Sequence, residues 1–91
     1  MAVALIITFE TDQPDSILTQ LRAYKERELD RNAPDGFISV ELKEEDGKVV
    51  YRTEWADKEA MDEVTDSAPW EASLDLCDIY ADDRKDEIVE L

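Results

Sequence analysis

The chain has 91 residues, 25 acidic and 10 basic, for a net charge of −15. A surface this acidic repels nucleic acid and anionic membranes, so neither is expected as a partner. Apolar residues make up 43% of the chain, too many for a disordered segment and enough for one modest core, so residues 1–91 read as one domain.

The acid is spread along the chain and not gathered in a tail. It serves solubility, or it marks a halophilic protein whose repulsion is screened in a salt-rich cytoplasm. The lone cysteine, Cys77, excludes an internal disulfide. No apolar run reaches the ~18 residues of a membrane helix. Ala2 to Phe9 is apolar but lacks a basic leader and a cleavage site, so a cytoplasmic protein is expected.

Val3 to Glu10 is β-rich and apolar on both faces, as in a strand at the middle of a sheet or at an interface. Asp12 is a candidate N-cap for a helix that carries Ile17, Leu18, Leu21 and Tyr24 at helical spacing. That helix runs on through Lys25 to Arg31 and ends at Asn32, Pro34 and Gly36. Next comes Gly36 to Trp55, two β-rich runs flanking Asp46-Gly47. This dipeptide favours a two-residue type I′ turn. A turn there pairs Leu42 with Tyr51, Val40 with Thr53 and Ile38 with Trp55 on one apolar face. The other face pairs Glu41 with Arg52, in position for a cross-strand ion pair.

Asp57 can cap a second helix bearing Ala60, Met61 and Val64. Pro69 interrupts that helix and opens another, where Trp70, Leu74 and Cys77 share a face. Ala81 to Lys85 reads as a charged turn and Asp86 to Leu91 as a last strand. The order is βαββαβ, the ferredoxin-like α+β arrangement with a four-stranded antiparallel sheet. Helices should cover the apolar face of the hairpin.

Gly36-Phe-Ile-Ser-Val-Glu-Leu, the acidic Asp-Gly turn, then Lys48-Val-Val-Tyr-Arg-Thr-Glu-Trp55 with Ala-Asp-Lys-Glu-Ala60 resembles the antibiotic biosynthesis monooxygenase domain. In that family a Gly-Phe strand leads into a hairpin whose return strand ends on a Trp that opens a short capped helix. The resemblance implies a homodimer in which two sheets pack as a dimeric α/β barrel, with a pocket between sheet and helices in each subunit. It implies a cofactor-independent monooxygenase acting on a small aromatic or quinone-like metabolite. The alternative is a non-catalytic, dimeric ligand-binding protein of the same fold.

The haem-degrading members of the family use a helix His as iron ligand, and this chain has no His. Ser67-Ala68-Pro69 stands where that His often lies, so imidazole ligation of iron is excluded and no cofactor or metal is expected. Trp70, near the family's pocket, is a candidate wall for a flat substrate, or a core Trp between helix and sheet. Trp55 is a second candidate contact, or a structural anchor. Tyr24 and Tyr51 can each donate a hydrogen bond to a substrate oxygen. Arg52 and Arg84 are the basic residues near plausible pocket edges. Arg84 is placed in the loop before the last strand. The polar residue, often Asn, on the family's first strand has no counterpart here, where only Thr8 is polar. Cys77, on an apolar face without a basic neighbour, reads as an inert thiol.

Overall fold

The most apolar strand sits inside the sheet. In a computed structural model describing residues 1–91, β1 (Val3–Glu10) lies between β3 (Lys48–Trp55) and β4 (Asp83–Glu90), and β2 (Phe37–Glu45) forms the other edge. All pairings are antiparallel. Val3, Leu5, Ile7 and Phe9 share a face with Val49, Tyr51, Thr53 and Trp55, and all eight are buried. Helices α1 (Pro14–Tyr24), α2 (Lys58–Thr65) and α3 (Ala68–Asp78) pack on that side. The other side of the sheet carries Ile6, Thr8, Val50 and Arg52 and is half-exposed. This is the ferredoxin-like α+β fold expected from the element order.

The hairpin turns at Asp46-Gly47, where both residues take positive φ, 44° and 78°. Leu42 pairs with Tyr51 and Val40 with Thr53, as the alternation requires. The register then breaks. A bulge between Phe37 and Ser39 pairs Phe37 with Trp55 and turns Ile38 into solvent. The expected Ile38–Trp55 pair is therefore replaced. Phe37 takes the place of Ile38, with its ring edge-on to Trp55 at 5.3 Å. Arg52 lies opposite Glu41, but its ion pair is with Glu54 on its own strand at 3.5 Å.

Two helix details also depart from expectation. Gln13, not Asp12, occupies the N-cap of α1 and makes no side-chain cap. Thr11 ties this junction instead. Its Oγ1 accepts from the Gln13 N–H at 2.8 Å and donates to the Tyr80 carbonyl at 2.7 Å. After Tyr24 the helix widens into a π-helical turn, Lys25–Asp30. The i→i+5 pattern returns Leu29 to the face of Tyr24, and both are buried. Asp57 caps α2 as expected, its Oδ1 accepting from the Ala60 N–H at 2.8 Å.

β4 begins at Asp83, three residues earlier than the sequence suggests. Asp83, Arg84 and Lys85 pair with Glu10, Phe9 and Thr8. Backbone pairing to a central strand outweighs the polar composition that made this segment read as a turn. Arg84 is thereby a strand residue on the helix side of the sheet, and not a loop residue.

Candidate functional site

The helices lie over β1 and β3 and leave the helix side of β4 largely bare. Arg84, Asp86 and Ile88, which project from that side, border a cleft of about 470 Å³. That is within the usual size range of small-molecule sites. Its floor is Leu5 and Ile7 of β1 with Ile88 of β4. Its roof is Met61 of α2 with Trp70 and Leu74 of α3. Asp62, Thr65, Glu71, Arg84 and Asp86 complete its lining.

Trp70 owes its position to the helix break. Ser67 occupies the N-cap of α3, and Pro69 follows in the first turn, where its missing N–H is harmless. The next residue turns inward. Trp70 lies nearly parallel to Tyr51, with ring centroids 5.5 Å apart and 22° between planes. It meets Tyr24 edge-on at 5.5 Å and 86°. Trp70 lines the cleft, and Tyr51 and Tyr24 stand behind it as its support. Tyr24 borders a smaller groove of about 240 Å³ with Glu28 and Glu63. Trp55 belongs to neither. It is fully buried, its Nε1–H donating to Thr53 Oγ1 at 2.9 Å. Arg52 lies on the opposite face of the sheet.

Burial favours the neutral form of the two phenols and the thiol of this cluster. Tyr24 is pushed up to about 12, first by desolvation and then by the nearby Glu28 carboxylate. Tyr51 is raised further, chiefly by desolvation, and its hydroxyl is buried without a hydrogen-bond partner. Cys77 is likewise pushed up to about 12 by burial, with Asp78 adding to the effect. Its Sγ lies 3.9 Å from the Ile17 carbonyl oxygen. The upward shifts disfavour all three as bases or nucleophiles at neutral pH.

Arg84 is the one cation lining the cleft. Its Nε and Nη2 donate to Asp86 at 3.0 and 3.2 Å, and its Nη1 donates to Asp78 at 3.0 Å. Partial desolvation by itself would lower its pKa. The bonds to Asp86 and Asp78 more than offset this and hold it above its usual value. A guanidinium has about five N–H donors, so about two remain for a ligand oxygen. No group of three or more His, Cys, Asp or Glu side chains is placed to hold a metal ion. No helix is long and apolar enough to cross a membrane.

Leu5, Ile7, Met61, Ile88, Glu71 and Asp86 were not singled out from the sequence as lining residues. A signal was available for some of them. Arg84, Asp86 and Ile88 alternate with period two, but they read as one face only once the strand is extended back to Asp83.

Neither a protein-family model nor a curated protein sequence matches the chain. Solved structures do. A conserved protein from Methanosarcina mazei superposes with a TM-score of 0.86 at 14% identity, over 99% of this chain and 92% of that one. A protein provisionally assigned as an antibiotic biosynthesis monooxygenase, from Nitrosomonas europaea, gives 0.84 at 11% identity, over 99% and 89%. SnoaB, a cofactor-independent oxygenase from Streptomyces nogalater, gives 0.75 at 14% identity, over 99% and 92%. At these identities the likeness is one of fold, and the chain has the fold of the antibiotic biosynthesis monooxygenase structures along nearly its whole length.

Proposed function

We propose that the chain is a cofactor-independent oxygenase that takes a small, flat aromatic or quinone-like molecule into the cleft under Trp70. One observation carries this reading: a cleft of about 470 Å³ with an apolar floor and roof and a single guanidinium among the charged side chains that complete its lining. The likeness in fold to SnoaB supports it.

The chemistry needs no external reductant. A ring methylene beside a phenol reacts with O2 to give a ring carbonyl and water. One oxygen atom enters each product, and all four electrons come from the substrate. In this scheme Trp70, Leu74 and Leu5 hold the ring. The phenol proton leaves through the open rim to water. The free N–H donors of Arg84 face the oxygen that then carries the negative charge. Apolar walls keep water from the carbanion-like carbon while it meets O2. Tyr24 and Tyr51 position Trp70, and Trp55 anchors sheet to helix. The half-exposed sheet face around Ile6, Thr8 and Val50 is assigned to a second copy of the chain, as a homodimer; sedimentation velocity over a range of concentrations tests that part.

A second reading is a ligand-binding module without turnover. The engagement of Arg84 with two carboxylates favours it, because the charge meant for a substrate anion is already compensated. Oxygen uptake with a panel of quinols, polyphenols and fused-ring phenols that carry a ring methylene, at low and high salt, separates the two. The oxygenase consumes one O2 per carbonyl formed. Binding without uptake across the panel selects the second reading.

A further inference from the structure

We infer that the cleft selects aromatic molecules that carry a protonated amine and turns away sulfonated, carboxylated or phosphorylated ones. This rests on the proposed reading of the cleft as the ligand site. The charge around the lining sets this preference. Arg84 is shared between Asp78 and Asp86. Asp62 is matched by Lys58 at 2.9 Å. Glu71 lines the cleft and takes part in none of the ion pairs. Two cations thus stand against four carboxylates. Low-dielectric walls of Leu5, Ile7 and Leu74 focus that negative field into the space where a ligand sits. The net charge of −15 acts in the same direction. An anionic group that reaches Arg84 also reaches Asp86 and gains little.

Glu71 follows Trp70 directly on the first turn of α3, and both line the cleft. An ammonium held by Glu71 therefore leaves the ligand ring among Trp70, Leu74 and the floor. The same arrangement bears on the proposed oxidation. A negative surround opposes forming a substrate anion, and a substrate that brings its own ammonium offsets that opposition.

The test uses three ligands on one dihydroxynaphthalene core, bearing an aminomethyl, a hydroxymethyl or a sulfonate group, titrated calorimetrically into the whole protein. The ammonium compound is expected to bind about three- to tenfold more tightly than the hydroxymethyl compound, and the sulfonate more weakly than either. Raising salt from about 0.05 to about 1 M should shrink this spread and leave the neutral ligand unchanged. Glu71→Gln should remove most of the ammonium preference, and Glu71→Lys should move the preference to the sulfonate. Circular dichroism checks that both variants fold. Equal binding of the three or tighter binding of the sulfonate overturns the selection and leaves the cleft as a site, and a preference undiminished by Glu71→Gln overturns Glu71 as its seat. No binding of any of them removes the cleft reading as well.

Discussion

Tyr51 is pressed against Trp70 with 22° between the rings, yet its hydroxyl, buried at the same spot, meets no hydrogen-bond partner. The stack is the support on which the cleft wall rests, and the orphaned oxygen is a defect within it. Removing the oxygen should leave the stack and relieve the defect. Tyr51→Phe is expected to be neutral or stabilising, by up to about 1–3 kcal/mol. Urea unfolding measures it. A clear loss of stability would mean that the hydroxyl is satisfied by ordered water.

The two glycines should respond differently to Ala. Gly36 has φ +83°, and an added Cβ would lie 2.5 Å from the Ala60 Cβ. Its carbonyl also accepts from the Ala56 N–H at 2.7 Å, so the backbone has little room to yield. Gly47 has φ +78°, but its Cβ would meet only the Thr11 carbonyl oxygen, at 3.6 Å. Gly47→Ala carries the cost of backbone strain alone, about 1 kcal/mol. Gly36→Ala adds a collision and should cost roughly 2–4 kcal/mol. Equal melting temperatures for the two variants would contradict this.

Alkali should unfold the protein through its buried acids. Folded Cys77 holds its proton up to about 12, against 9.0 ordinarily, and folded Tyr24 also to about 12, against 10.0. The unfolded chain releases those protons sooner. Stability from these groups is thus fully present below about pH 9 and declines as pH rises toward 12. Urea midpoints across that window should fall, and fall less steeply in Cys77→Ala. A slope unchanged by the substitution would remove Cys77 from the account.

Salt should stabilise the fold. The ion pairs join partly or fully exposed side chains and so contribute little each, while a net charge of −15 repels itself throughout. Adding potassium chloride screens the repulsion more than it weakens the pairs. The melting temperature is expected to rise from low salt to about 1 M. A flat or falling curve would leave the acidity as a matter of solubility.

Most of the fold could be read from residues that act locally. Asp46-Gly47 fixed the hairpin and hence Leu42 opposite Tyr51. Asp57 and Pro69 marked two helix starts. The misses came from residues whose role is settled by distant partners. Nothing in the alternation of β2 announces the bulge at Phe37 and Ser39, since it is the packing of Phe37 on Trp55 that accompanies it. Thr11 displaces Asp12 at the α1 junction because Thr11 can also reach Tyr80, 69 residues away. The candidate site was legible at Trp70 and, as a pocket-edge cation placed in a loop, at Arg84. Its floor belongs to strands that any apolar core would bury. Arg84 became a lining residue once pairing with β1 carried β4 back to Asp83.

Arg84 also works as a strut. It links Asp78, at the end of α3, to Asp86, on a strand that has no helix packed over it. The aperture beside it is thus spanned by charge and not by interlocked apolar side chains. Surface ion pairs contribute little each, so the aperture should yield to a bulky guest more readily than the buried Trp70–Tyr51 stack beside it.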